Sequence, residues 1–112
     1  MDHKTVETYI LGMPNVFLDY PFGEGVAVYK VGDASNASEG KMFALVAEKK
    51  EPLNLSLKCD PVLAETLREK YETVLPGYHL NKKHWNTIIL TGQVPWDEVE
   101  ALIQHSYQLV TA

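Results

Sequence analysis

The chain has a single cysteine among its 112 residues and no long apolar run. Because Cys59 has no partner, an intrachain disulfide is excluded and a reducing compartment is the expected environment. The longest apolar runs are far shorter than the roughly 20 residues that a membrane helix needs. The first ten residues, MDHKTVETYI, contain acids and lack the apolar segment of a signal peptide. We therefore expect a cytoplasmic protein without membrane attachment.

Motifs for metals and nucleotides are also missing. Zinc sites commonly use close Cys-x-x-Cys or His-Glu-x-x-His pairs, and neither spacing occurs. His79 and His84 are separated by a predicted turn and do not form a recognised ligand pair. A phosphate-binding glycine loop leads into a helix, whereas Gly23-Glu24-Gly25 leads into a predicted strand. The sequence therefore predicts no metal and no cofactor.

Residue pairs with catalytic spacing are equally scarce. Cys59 continues the apolar side of a predicted strand, and an apolar setting raises the pKa of a thiol, which opposes nucleophilic attack. His105 and Ser106 are neighbours on a predicted helix, where adjacent side chains do not face each other. We therefore predict that the protein is not an enzyme.

The periodicity of apolar residues predicts three helices, at 2–12, 61–73 and from 94 to the end of the chain. Asp60 and Pro61 are typical of the start of the second helix, as N-cap and first helical residue. Strands are predicted at 26–31, 41–49, 53–59 and 85–92, with a further short strand near 78–80. Residues 14–25 are predicted to be irregular, with Phe17, Tyr20 and Phe22 buried, and residues 32–40 to be a turn.

Residues 53–59 alternate most clearly between apolar and polar, with Leu53, Leu55, Leu57 and Cys59 on one side. One buried and one wet side is typical of an antiparallel sheet with a single packed face. Helices before and after the hairpins favour an α+β fold of two layers, in the order α-β(3)-α-β(2)-α. We predict one domain over residues 1–112.

Acidic residues are absent between Glu72 and Asp97, although the net charge of the chain is −5. Basic, amide and aromatic side chains are interleaved in this segment: Tyr78, His79, Asn81, Lys82, Lys83, His84 and Trp85. Lysines neutralise phosphates, asparagines bond to bases or phosphates, and aromatic rings stack on bases. Lys30, Lys41 and Lys58 on neighbouring strands extend this patch. The alternative is a solvated turn that Tyr78 and Trp85 anchor in the core.

Several stretches resemble the MmcQ/YjbR family of small bacterial proteins: FGEGVAVYKV, GKMFALVA, LNLSLKCDP, LPGYHLNKKHWNTIIL and LIQHSYQLV. The resemblance implies a two-layer α+β domain, similar to frataxin-type and secretion-chaperone-type folds, with the extra strand near Tyr78. It also implies DNA binding through a double-wing arrangement of β-hairpins, with the ten residues of the patch as the contacts. The 32–40 turn departs from the family pattern in its length and in Asp33 and Glu39, whose charges oppose phosphate contact.

Two functions remain open at this stage. The first is a non-catalytic DNA-binding protein that contacts phosphates mainly through Lys58, Lys82 and Lys83, with Asn81 and His84 adding hydrogen bonds. The second is a module that binds a protein segment or a small ligand on the open side of its sheet. We expect a monomer, and under the second function the alternative is a dimer paired through the open side of the sheet.

Overall fold

The computed structural model describes residues 2–77 and 80–112. The helices are α1 (His3–Leu11), α2 (Pro61–Lys70) and α3 (Trp96–Thr111). The strands are β1 (Val16–Asp19), β2 (Val26–Val31), β3 (Lys41–Ala47), β4 (Asn54–Lys58), β5 (Val74–Pro76) and β6 (Trp85–Ile89), and a 3-10 segment covers Ala34–Glu39. All described strand pairs are antiparallel, in the sheet order β1-β2-β3-β4-β6-β5.

The three helices pack on one face of this sheet. Leu53, Leu55, Leu57 and Cys59 are buried towards the helices, as the alternation of β4 predicts. Helix α3 contributes Val99, Leu102 and Ile103 to the same core, α1 contributes Val6 and Ile10, and α2 contributes Ala64 and Leu67. Burial of these side chains is the main force that holds the helical layer to the sheet.

Ser106 ties α3 to the middle of the sheet. The pairing of β2 with β3 shifts register between Tyr29 and Lys30, which leaves Phe43 in a bulge. The Ser106 hydroxyl donates to the Phe43 carbonyl at 2.6 Å and accepts from the Lys58 N–H at 3.0 Å. A buried hydroxyl with both bonds satisfied is a structural bridge, so Ser106 supplies no nucleophile.

The predicted α+β class with an antiparallel sheet is confirmed, but four strands precede α2 where three were predicted. Residues 16–19 form β1, because their backbone pairs with β2 from Val16–Val31 to Asp19–Val28. A strand this short has too little periodicity to be recognised without its distant partner. Tyr20 and Phe22, predicted to be buried, are exposed because they follow the end of β1.

The second hairpin also differs from its prediction. Helix α2 ends at Lys70, and Tyr71 has an extended backbone that closes the helix. The strand that pairs with β6 is Val74–Pro76, earlier than the predicted 78–80. Tyr78 and His79 lie outside the described residues. The predicted 32–40 turn contains the 3-10 segment, whose N-cap is Asp33.

Within residues 2–77 and 80–112, no helix has both the length and the apolar character needed to cross a membrane.

Candidate functional site

The side of the sheet that faces away from the helices is called the open face below. Residues opposite each other in an antiparallel pair point to the same side, so the strand register assigns each side chain to a face. One row of the open face holds Lys30 and Met42 on β2 and β3, and Lys58 and Trp85 on β4 and β6. The register therefore brings Lys30, Lys58 and Trp85, which are far apart in sequence, to one end of one face.

Lys30 is held by contacts within the chain. The residue is only 7% exposed, and its Nζ donates to Asp19 Oδ2 at 2.9 Å and to the Ala37 carbonyl at 3.1 Å. The Lys30 hydrogen bond lowers the pKa of the Asp19 carboxyl. Lys30 thus joins β1 and the 3-10 segment to β2, and its charge is already balanced by Asp19.

Trp85 is also buried, at 7% exposure, and packs with Val28 and Leu45 on the open face. The loop before it comes very close, since a Cβ on Gly77 would lie 2.7 Å from Trp85 Cβ. Gly77 N–H donates to the Trp85 carbonyl at 2.9 Å. The indole therefore anchors the loop and has no free face on which a base could stack.

The loop between β5 and β6 exposes Lys82 and Lys83. Asn81 Oδ1 accepts from the Lys83 N–H at 3.0 Å, and the Asn81 carbonyl accepts from the His84 N–H at 3.1 Å. An asparagine that binds the backbone two residues on forms a local turn. The turn fixes the backbone and leaves both lysine side chains in solvent, while His84 is half-buried.

Arg68 on α2 braces this loop, which the sequence alone did not predict. Its Nε donates to Asn86 Oδ1 at 2.6 Å, and its NH2 group donates to the carbonyls of Lys82 and Trp85. Asn86 is buried and donates its own amide to the Ala64 carbonyl at 3.2 Å. No periodic or motif signal relates Arg68 to Asn86, because only the packing of α2 against β6 brings them together.

Lys58 and Lys41 complete the lysine end, which is defined as Lys41, Lys58, Lys82 and Lys83. Lys58 is half-buried beside Trp85, and Lys41 is exposed at the first residue of the adjacent strand β3. Among the described residues, Lys30–Asp19 is the only lysine–carboxylate pair within 4.0 Å. Six of the predicted contact residues are therefore accessible or partly accessible: Lys41, Lys58, Asn81, Lys82, Lys83 and His84. Lys30 and Trp85 are buried, so neither is available to contact a ligand.

Of the acids in the segments just before β3 and just after β4, Asp33 and Asp60 are engaged locally, whereas Glu39 is exposed. Asp33 Oδ1 accepts from the backbone N–H and hydroxyl of Ser35, at 2.9 and 2.8 Å. Asp60 Oδ2 accepts from the first N–H groups of α2, at 3.1 and 3.2 Å. Most of the negative charge lies on the helices and their N-caps instead, at Asp2, Glu7, Asp60, Glu65, Glu69, Asp97, Glu98 and Glu100. The open face is therefore the less acidic side of the molecule.

The other end of the open face contains an apolar groove of about 370 Å³. Its lining is Phe22, Val26, Leu45, Ala47, Lys50, Asn54, Ser56, Leu80 and Thr87. Phe22, which is 61% exposed, comes from the loop before β2, and Leu80 comes from the loop that carries Lys82. The polar side of β4 hinted at an open face, but nothing in the sequence indicated that the two loops would border a groove.

Groups with catalytic potential are poorly placed for reaction. Cys59 is 3% exposed, and burial raises the pKa of its thiol to about 11, with a smaller contribution from Asp60. His105 Nε2 accepts from the Asp60 N–H at 3.1 Å. Within the described part of the chain, no three His, Cys, Asp or Glu side chains form a cluster suited to a metal.

Solved structures with the same architecture come from two bacteria. Protein DR2400 of Deinococcus radiodurans superposes with a TM-score of 0.91 at 39% identity, over 98% of this chain and 78% of that one. A Pseudomonas syringae protein superposes with a TM-score of 0.79 at 30% identity, over 97% of this chain and 98% of that one. These similarities define the class as a two-layer α+β protein with one open sheet face.

The sequence comparisons identify the family. The YjbR family model matches residues 11–109. YbdF of Escherichia coli O157:H7 is 33% identical over 108 residues, which is 96% of this chain and 83% of that protein. YjbR of Escherichia coli K12 is 43% identical over 70 residues, which is 62% of this chain and 59% of that protein. The chain belongs to the YjbR family, which confirms the resemblance in the sequence; both relatives are described only as uncharacterised.

Proposed function

We propose that the protein is a non-catalytic, cytoplasmic DNA-binding protein that contacts phosphates through the lysine end. The observation that carries this proposal is the convergence of Lys58, Lys82 and Lys83 at one end of the open face, outside any ion pair among the described residues; Lys41 lies at the same end of the sheet, but its pairing with Val31 directs it to the helix side. The acidic helices face the opposite side, so the net charge of −5 does not prevent local attraction of a polyanion.

The contacts in this proposal are directed to the DNA backbone. Lys82 and Lys83 neutralise phosphates from the loop before β6, and the exposed Asn81 and half-buried His84 offer hydrogen bonds beside them. Lys30 and Trp85 take no part, because both are buried. Each neutralised phosphate contributes roughly −0.9 to the slope of log affinity against log salt, so four lysines give a slope of at most about −3.6. Binding is expected to be weak and independent of base sequence.

A pair of charge-reversal variants tests the proposal. Lys82→Glu with Lys83→Glu should abolish binding of a fluorescent DNA duplex, measured by anisotropy at about 50 mM salt. Lys49→Glu with Lys50→Glu changes the net charge equally but at the far end of the sheet, and should retain most of the binding. Equal losses of DNA binding in both variants would mean that binding depends on the net charge of the protein and not on the lysine end. Absence of binding by the unmodified protein at this salt would refute the proposal.

The second candidate function is binding of a protein segment or a small ligand, and it is favoured by a different observation. None of the four lysines of the lysine end lines the apolar groove, so a ligand in the groove does not need the residues that would contact DNA. Monomeric behaviour is part of both proposals, and light scattering over a range of protein concentrations would test it.

A further inference from the structure

We infer that the groove binds a small apolar carboxylate, such as a medium-chain alkyl acid, with its carboxylate beside Lys50. This inference rests on the second candidate function and specifies its ligand. It is independent of DNA binding, because it uses no residue of the lysine end.

The shape of the groove suits a small molecule. Val26, Leu45 and Ala47 form an apolar floor on β2 and β3, and Phe22 and Leu80 border it from two different loops. Its volume of about 370 Å³ lies near the lower end of ligand pockets, which span roughly 300–1,000 Å³. Borders on two sides and a limited volume favour a compact ligand over a long peptide segment.

The polar groups in the groove are unevenly distributed. Ser56 Oγ and Thr87 Oγ1 lie 2.8 Å apart and bond to each other, so this pair offers a ligand one remaining hydroxyl proton and no charge. Asn54 and Lys50 also line the groove, and Lys50 is the single charged residue among the lining residues described. A lining that contains one cationic group and one amide suits a carboxylate head group.

In the turn between β3 and β4, the two acids and Lys50 have different surroundings. Glu48 Oε2 accepts from the Tyr20 hydroxyl at 3.0 Å and lies 3.0 Å from His3 Nε2, so it is engaged towards α1. Glu51 lines a surface depression shared with His3 and Leu53, away from the groove. Lys50 instead lines the groove, among whose described lining residues there is no acid. The turn therefore presents a positive charge to an apolar cavity, which favours an anionic over a cationic amphiphile.

Trp85 provides a reporter for binding. It packs against Leu45, which lines the groove, whereas Trp96, the second of the two tryptophans, packs against Tyr9 on the helical side. In the Trp96→Phe variant, titration with octanoate should therefore change the Trp85 emission. Ligand-observed saturation-transfer NMR also detects octanoate binding, and it does so on the unmodified protein.

A series of probes tests the chemistry of the ligand. From butanoate to octanoate, affinity should rise about fourfold per methylene and then level off once the groove is full. Octylamine should bind at least tenfold more weakly than octanoate. Lys50→Glu should reverse this preference, whereas Lys49→Glu should preserve it, because Lys49 does not line the groove. Ala47→Phe fills the groove and should remove binding of both probes.

Several results would overturn the inference. These are no binding of octanoate at millimolar concentration, equal binding of octanoate and octylamine, or unchanged binding in Ala47→Phe. Dimerisation that Ala47→Phe abolishes, without octanoate binding, would instead identify the groove as an interface between copies of the chain. Lys82→Glu with Lys83→Glu should leave octanoate binding intact, so failure of the DNA proposal and failure of this one can be distinguished.

Discussion

Removal of Arg68 should destabilise the loop that carries Lys82 and Lys83. In Arg68→Met the aliphatic stem is kept, but Asn86 Oδ1 and the carbonyls of Lys82 and Trp85 lose their donor. Asn86 is 3% exposed, so its oxygen cannot readily bond to water instead. An unsatisfied buried acceptor costs about 1–3 kcal/mol. Loss of the other two bonds adds little, because the Lys82 carbonyl is exposed and the Trp85 carbonyl keeps its bond from the Gly77 N–H. We expect the free energy of unfolding to fall by about 2 kcal/mol.

Urea denaturation followed by tryptophan fluorescence measures this loss. Lys70→Met is the matched control, because it removes the same charge from the same helix at an exposed position, and it should cost about 0.5 kcal/mol or less. Arg68→Lys should fall between the two, since an ammonium reproduces the charge but not the planar fork of donors. Hydrogen exchange should accelerate at the amides of Lys83 and His84, whose bonds to Asn81 define the turn.

A double-mutant cycle with Asn86→Ala separates the Arg68–Asn86 contact from other effects. We expect a coupling energy of about 1 kcal/mol or more, because each single change removes the same hydrogen bond. A loss in Arg68→Met no larger than that in Lys70→Met, together with zero coupling, would refute the bracing role of Arg68.

Three further predictions concern the same framework. Gly77→Ala should destabilise the protein by about 1–3 kcal/mol in urea titrations, because its Cβ would meet Trp85 Cβ at 2.7 Å; unchanged stability would contradict this close packing. The pKa of Asp19 is lowered from 3.8 by Lys30, so its stabilisation is present above that pH and is lost as the pH falls through the folded-state pKa. Asp19→Asn should therefore be less stable than the unmodified protein near neutral pH, and their urea midpoints should converge under acid; a constant difference would argue against the pair. The raised pKa and burial of Cys59 predict slow alkylation in the folded protein and rapid alkylation in urea, and equal rates would show that the thiol is accessible.

The fold could be predicted from the sequence wherever the pattern was local. The alternation from Leu53 to Cys59 and the Asp60-Pro61 start of α2 depend on neighbouring residues, and both agree with the structure. Strand β1 was missed because a four-residue strand is defined by its pairing with β2. The wrong prediction that Tyr20 and Phe22 are buried has the same cause. It was based on their size, whereas their place after the end of β1 leaves them exposed.

The candidate site could be predicted only in part. Lys82 and Lys83, which the acid-free segment singled out, are exposed. Trp85 is packed in a buried cluster, as the alternative of a solvated turn anchored in the core predicts. The sequence could not show that Lys30 is paired, because Asp19 lies on a different strand. It also could not show the groove, since two loops and three strands contribute to it.

The sequence by itself therefore determined the α+β class, the family, the side of β4 that is buried and the local excess of lysine between Glu72 and Asp97. These properties depend on composition and short-range periodicity, which each segment carries alone. Only the tertiary structure decided which lysines reach solvent, that Arg68 braces their loop, and that Lys50 faces an apolar groove. Each of these depends on strand register and on packing between segments distant along the chain, where a shift of one residue moves a side chain to the opposite face.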